Sequence, residues 1–383
     1  MIPYGKQDIN QADIDSVVEV LKSNFLTQGP TVPNFESMVS KYCNAFYGVA
    51  VNSATSALHV ACLALGLKDG DLLWTSPNSF VASANCGLYC GAEVDFVDIN
   101  SKTYNMSAEE LEIKLIQAKL DNKLPKIVIP VHFAGQSCNM KKIHSLSQEY
   151  GFNIIEDASH AIGGRYLGKP IGNCQYSDIT VFSFHPVKII TTAEGGLATT
   201  NSKDLAEKMH LFRSHGITRD KGLMYDVSDW YYQQVDLGFN YRMTELQAAL
   251  GMSQMHRLDD FVLNRHKLQK KYDSLLSTLP VIRPFQEQDS FSSFHLYPIQ
   301  VNFEVVDKSR KQIFDELRNK GIGVNVHYIP IHLHPYYSKL GFKVGDFPNA
   351  EAYYERAISI PLFHSMTPQQ QDEVFNSLKL TLE

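Results

Sequence analysis

No stretch of this 383-residue sequence is long and apolar enough to span a bilayer. The first residues, MIPYGKQDINQAD, hold no apolar core of signal-peptide length. The six cysteines (Cys43, Cys62, Cys86, Cys90, Cys138 and Cys174) include no CxxC pair and are too sparse for a disulfide scaffold. They read as small buried hydrophobes in a reducing compartment. Charge of one sign is also missing: 35 basic residues against 41 acidic ones leave a net −6, which argues against a general binder of nucleic acid or anionic membrane. No GxGxxG follows the first apolar run, which removes the usual signature of a dinucleotide-binding oxidoreductase. Gly168-Lys169-Pro170 lacks the hydroxyl and glycine spacing of a P-loop, and no repeat or low-complexity segment occurs. A soluble cytoplasmic enzyme is the expectation.

What is present is alternation. VAVNS, DLLWTS, EVDFVDI, KIVIPVHF, NIIED, DITVFSF and GGLATT read as strands, separated by amphipathic stretches such as ATSALHVACLALGL, SAEELEIKLIQAKL and MKKIHSLSQEYG. Strands alternating with helices imply crossovers and a mostly parallel sheet covered on both faces. IVIPV and ITVFSF are apolar at successive positions, as a doubly covered strand requires. From TELQAALGMSQ onward a long helical spacing leads to HLYPIQV and GIGVNVHYI, read as strands around the helix SRKQIFDELRNKG. Two domains follow: a large α/β domain over 1–245 and a smaller α+β domain over 246–383.

Ligands of open α/β sheets bind beyond the carboxyl ends of the strands. At those ends stand Ser53-Ala54-Thr55-Ser56, then Asp157 with Ser159 and His160, then Ser183 with Lys188 five residues on. Singly each has a plain explanation: a helix cap, a core histidine, a solvated lysine. Together they are an anion cradle, a carboxylate and a lysine. Pyridoxal phosphate needs all three: a helix N-terminus for its phosphate, a carboxylate for the protonated pyridine nitrogen and a lysine for its aldehyde.

SFHPVKIITTAEGG (183–196) resembles the Schiff-base motif of the DegT/StrS sugar aminotransferases, and IEDASHA, NSATSALH, LTQGP, RSHG and GFNYRMTELQAA extend the likeness in the same order along nearly the whole chain. The resemblance implies a fold-type I aminotransferase with Lys188 as the cofactor-bearing lysine and proton carrier. It implies Asp157 on the pyridine nitrogen, His160 beside the ring and Phe80 stacked on it. Ala54 and Thr55 with Ser183 would hold the phosphate, and Asn240 would reach it from the other subunit of a homodimer. Pro186 departs from the small residue that relatives often carry there.

Within the family, NFLTQGP, LFRSHGI and VHYIPIHLHPYY most resemble the branch serving pseudaminic acid biosynthesis. That implies L-glutamate as amine donor and a UDP-linked 4-keto-6-deoxy-N-acetylhexosamine as acceptor. Tyr4, Phe25, Leu26, Thr27, Gln28, Arg213, His327, Tyr328 and His332 are the substrate-binding candidates. UDP-linked 4-keto-pentoses and dTDP-4-keto-6-deoxyhexoses remain alternatives, since base and ring stereochemistry lie outside what spacing decides. The His332-Leu333-His334 pair has no further well-placed ligand, so no metal is expected. Two rivals on the same fold weigh less: a sugar dehydratase, whose relatives carry histidine in place of Lys188, and a non-catalytic relative.

Overall fold

The computed structural model describes residues 1–220, 222, 224–226 and 228–383. The strands β1 (Tyr47–Val51), β2 (Leu72–Thr75), β3 (Glu93–Phe96), β4 (Ile127–Ile129), β5 (Asn153–Asp157), β6 (Ile179–Ser183) and β7 (Gly196–Thr200) form one seven-stranded sheet. Its order is β1-β7-β6-β5-β4-β2-β3. Neighbours pair in parallel from β6 through β5, β4 and β2 to β3, and β7 alone runs against both β6 and β1. Because β1 and β6 are both antiparallel to β7, they point the same way. Val51, Asp157 and Ser183 therefore end at one edge.

Helices cover both faces, which explains the uninterrupted apolar strands. On one side α3 (Ala54–Ala64) and α7 (Lys203–Arg213) pack with Val49, Ile155, Ile179 and Val181. On the other, α2 (Thr31–Cys43) and α8 (Glu245–Met255) close over Ala50, Phe182 and Leu197. Further along, α5 (Ala108–Leu120) and α6 (Met140–Tyr150) cover Trp74, Val128 and Ile154. A second core gathers Leu268, Tyr272, Ile299, Ile313, Ile358 and Leu378 around a three-stranded antiparallel sheet of β8 (Val281–Ile282), β9 (Tyr297–Val301) and β10 (Ala357–Ile360). Ile2 belongs to that core: its N–H donates to the Gly321 carbonyl, and its own carbonyl accepts from Gly323. This places Tyr4 between the two cores.

Two expected elements differ. The long helical spacing breaks at His256-Arg257, so α9 (Leu258–Leu275) is separate from α8. Arg257 leaves helical geometry (φ −109°, ψ 3°) and forms ion pairs with Asp8 and Asp13, contacts that helical periodicity does not encode. GIGVNVHYI is not a strand. It makes single bridges, Ile322 to Ile2 and Asn325 to Ser359, and its polar end turns toward the carboxyl edge of the large sheet.

Candidate active site

A cavity of about 540 Å³ opens at that edge. Its floor comes from the strand ends. Ser53 is extended and accepts a hydrogen bond from the Ser56 N–H at 3.1 Å, which starts α3. That cap leaves the N–H groups of Ala54 and Thr55 among the first-turn donors that a helix cannot satisfy itself. Gly196, at the start of β7, lies against this turn. A Cβ there would come within 2.5 Å of the Ala54 nitrogen and the Ser53 carbonyl, so only glycine permits the approach. Ser183, paired with Gly196 across the ladder, lines the same corner.

Asp157 ends β5 buried, and its carboxylate accepts from Ser83 Oγ at 2.6 Å and from the Ser159 N–H at 3.0 Å. Both partners are neutral donors, so the carboxylate can meet a cation without a competing ion pair. Behind it Glu156 faces the other way and accepts from buried His132 Nε2 at 2.7 Å, which ties β5 to the loop after β4.

Lys188 sits in a turn held by the Lys188 N–H to His185 carbonyl bond and by Thr191 and Thr192, which both donate to the Phe184 carbonyl. Ile189 and Ile190 are buried beside it and anchor the loop. Desolvation lowers the Lys188 ammonium to about 8, partly opposed by the Asp157 carboxylate. A substantial neutral fraction near physiological pH is what an amine needs to attack an aldehyde.

The facing wall is built from Tyr4 and from Asn325 through Tyr328. His327 Nδ1 is 2.9 Å from Ser359 Oγ, and burial together with Lys188 lowers its pKa to about 3. His160 is buried, with Nδ1 accepting from the Ala134 N–H at 3.2 Å and Nε2 3.0 Å from the Tyr328 hydroxyl. Its pKa lies well below the usual value because of burial, Lys188 and His327. Phe80 is 60% exposed and borders the opening, its ring 6.4 Å from that of Tyr328.

The cavity thus brings together Tyr4, Ala54, Thr55, Phe80, Asp157, His160, Ser183, Lys188, His327 and Tyr328. Other candidates lie elsewhere. Arg213 is removed from the cavity because its guanidinium pairs with Glu36 and donates to the Ala50 carbonyl at 2.6 Å, bracing β1. His332 is fully buried between Phe96 and Phe347, with Nε2 2.8 Å from Glu351. Phe25, Leu26, Thr27 and Gln28 are exposed, and Asn240 shows its side chain to solvent while its carbonyl accepts from Asn52. None of these five lines this chain's own cavity.

Sequence reasoning missed His295 and Asn325, which line the cavity. The His295 ring stands 4.5 Å from His160, and its buried Nδ1 has no partner among the described residues. A polar residue opening the apolar run HLYPIQV was the available signal.

The floor fits pyridoxal phosphate on chemical grounds: donors without acceptors at a helix start, a glycine allowing close approach, a carboxylate free of fixed cations and a desolvated lysine. The DegT/DnrJ/EryC1/StrS aminotransferase family model matches residues 7–379. The chain is 37% identical over 384 residues to the UDP-4-amino-4,6-dideoxy-N-acetyl-beta-L-altrosamine transaminase of Campylobacter jejuni serotype O:23/36, covering 100% of this chain and 98% of the relative. Among solved structures, Helicobacter pylori PseC, an aminotransferase involved in the biosynthesis of pseudoaminic acid, superposes with a TM-score of 0.91 at 31% identity, covering 100% of this chain and 99% of the other. A Streptococcus pneumoniae protein described as a sugar aminotransferase, solved in its PLP form, gives 0.89 at 29% identity over 99% and 98% of the two chains. The chain belongs to the DegT/DnrJ/EryC1/StrS aminotransferase family, has its fold-type I architecture, and takes pyridoxal phosphate as its cofactor.

Proposed function

We propose that this protein transfers the amino group of L-glutamate to C4 of a UDP-linked 4-keto-6-deoxy-N-acetylhexosamine, giving a UDP-4-amino sugar for pseudaminic acid synthesis. The observation that carries the reading is one cavity holding Lys188, Asp157 and the open start of α3 on its floor, with Tyr4, His327 and Tyr328 above them. The identity of the transaminase and structural relatives over whole-chain alignments supports the acceptor.

When bound, pyridoxal phosphate supplies the electron sink that makes the amine carbon acidic. This chain's residues would do the rest. Ala54 and Thr55 N–H groups with the Ser183 hydroxyl hold the phosphate. Asp157 keeps the proton on the pyridine nitrogen, and Phe80 and His160 flank the ring. Lys188 would hold the cofactor through its aldehyde and would move the proton at the amine carbon.

We further infer a homodimeric, cytoplasmic enzyme with shared sites. Among the described residues lining the cavity, Lys188 is the only lysine or arginine, while a nucleotide diphosphate and a dicarboxylate both need charge neutralisation. Phe25, Leu26, Trp230 and Leu237 expose apolar area near Asn240 in sequence or through the Glu245–Leu26 hydrogen bond, as a covered surface would. No described helix is long and apolar enough to cross a membrane, and the cysteines are free.

The test is a substrate panel: purified protein with L-glutamate and several UDP- and dTDP-4-keto sugars, following amino sugar and 2-oxoglutarate. Turnover of the UDP-hexosamine derivative at least about tenfold above the others in kcat/KM is expected. Preference for a pentose or a dTDP sugar overturns the acceptor.

A further inference from the structure

Two bonds in the cavity wall fix the direction of a proton chain. The Ala134 N–H points at His160 Nδ1 at 3.2 Å. A backbone amide can only donate, so Nδ1 must present its lone pair, and a neutral imidazole then carries its proton on Nε2. Neutrality is consistent with the burial of the ring among Lys188, His295 and His327. The Nε2 proton faces the Tyr328 hydroxyl oxygen at 3.0 Å, so His160 donates and Tyr328 accepts. The phenol's own proton is thereby directed away from His160.

The frame around this chain is rigid. Ala134 has a left-handed backbone (φ 56°), unusual for alanine, and its carbonyl accepts from the His295 N–H at 2.8 Å. Ala134 is thus clamped between His160 and His295. The Tyr328 N–H donates to Asn78 Oδ1 at 3.3 Å, and Asn78 is itself buried and donates to the Tyr104 carbonyl. The Tyr328 and His160 rings lie nearly parallel, 20° apart. Burial raises the Tyr328 phenol, keeping it protonated. No described residue accepts its proton in a hydrogen bond.

We propose that Tyr328 is a one-way hydrogen-bond donor, set by the Ala134–His160 pair, whose proton goes to an acceptor oxygen on the sugar ring of the keto substrate. The inference rests on the aminotransferase reading above. The sugar is favoured over the cofactor because Asp157, Ser183 and the start of α3 after β1, expected to hold the cofactor's ring nitrogen and phosphate, stand at strand ends, whereas Tyr328 lines the cavity with Asn325, His327 and Tyr4. A donor that cannot turn round discriminates between an oxygen and an N–H or C–H at the same ring position, because the wrong group leaves a desolvated hydroxyl unpaired. Tyr328 would thereby help set sugar specificity, and His160 would act on it as a positioning residue.

The test has two readouts on the holoenzyme. In 15N-histidine spectra, with His160→Gln identifying the signal, His160 should be the Nε2–H tautomer; an Nδ1–H tautomer or an imidazolium at neutral pH overturns the chain. In rapid kinetics, Tyr328→Phe should leave the resting cofactor absorbance and the glutamate half-reaction within about twofold of wild type. Its kcat/KM for the UDP-keto sugar should fall by about 10- to 100-fold. A slowed glutamate half-reaction or a shifted resting spectrum assigns the proton to the cofactor and overturns the sugar assignment. An unchanged sugar half-reaction overturns it as well. If wild type turns over no UDP-keto sugar, the proposed function fails and takes the sugar assignment with it, while the tautomer result still decides the His160–Tyr328 polarity.

Discussion

Lys188 and Asp157 show how much of the chemistry is a matter of single residues in a set environment. The ammonium, normally near 10.5, is lowered to about 8 by desolvation. A lysine whose folded pKa lies below its unfolded one binds fewer protons when folded, so burying it costs stability. The cost is complete below about pH 8 and fades as pH rises toward 10.5. Cofactor-free Lys188→Met should therefore melt higher than cofactor-free wild type at pH 7, and the gap should narrow steadily by pH 10; a gap independent of pH would mean the lysine is solvated. Asp157 makes a complementary prediction. Asp157→Asn keeps the helix start and Gly196, so cofactor should still bind. Its half-reaction with glutamate should slow about 10²- to 10³-fold, the usual loss when one electrostatic partner leaves an enclosed site. Near-wild-type rates in stopped-flow absorbance would show that the carboxylate only receives Ser83 and Ser159.

Elements explain why part of this site was legible in the sequence and part was not. The strand ends were legible because their signals are local: apolar strand, then serine cap or acidic residue or lysine, within a few positions. Arg213 and His332 look equally suited to a ligand in sequence, yet Glu36 and Glu351 claim them in the fold, and Glu36 is 177 positions away from Arg213. The segment 321–329 has the composition of a strand, but its pairing is settled by Ile2 and Ser359, one of them at the far end of the chain. Glu245 was likewise opaque. It reads as a first-turn acid of α8, a favourable place beside the helix dipole. In the fold it is fully buried, and its carboxylate accepts from the Thr31 and Val32 N–H groups, the latter at 3.2 Å, capping α2 from another helix. Pro30, which precedes α2, offers no side-chain cap of its own. Glu245→Gln turns one accepting oxygen into a donor facing a donor. It should lower stability by about 1–3 kcal/mol, read from urea midpoints at unchanged slope. Wild-type stability would show that the Thr31 and Val32 N–H groups find other acceptors.

At the scale of the whole molecule the question is whether one chain makes a complete site. This chain's cavity holds Lys188, Asp157 and the open start of α3, but Asn240 is exposed and does not line it. Its backbone is nonetheless held close to that helix start, since its carbonyl accepts from Asn52, the residue before the Ser53 cap, and Ser214 bridges to it. A side chain so placed can serve a neighbouring copy or merely meet water, and a mixed dimer separates the two. Lys188→Ala alone should be inactive. Asn240→Ala alone should be weakened at limiting cofactor through poorer phosphate binding. If Asn240 acts across the interface, a mixed dimer has one site with Lys188 from one subunit and Asn240 from the other, both intact, and a second site carrying both defects. Co-expressed, differently tagged subunits purified through both tags should then exceed both parents, approaching half of wild-type activity per dimer at limiting cofactor. Sharing makes a second demand. The Asn240→Ala homodimer should recover as cofactor is raised, whereas the Lys188→Ala homodimer should not. Activity of the mixed dimer no higher than the average of its parents would place Asn240 in its own subunit's structure and remove it from the site.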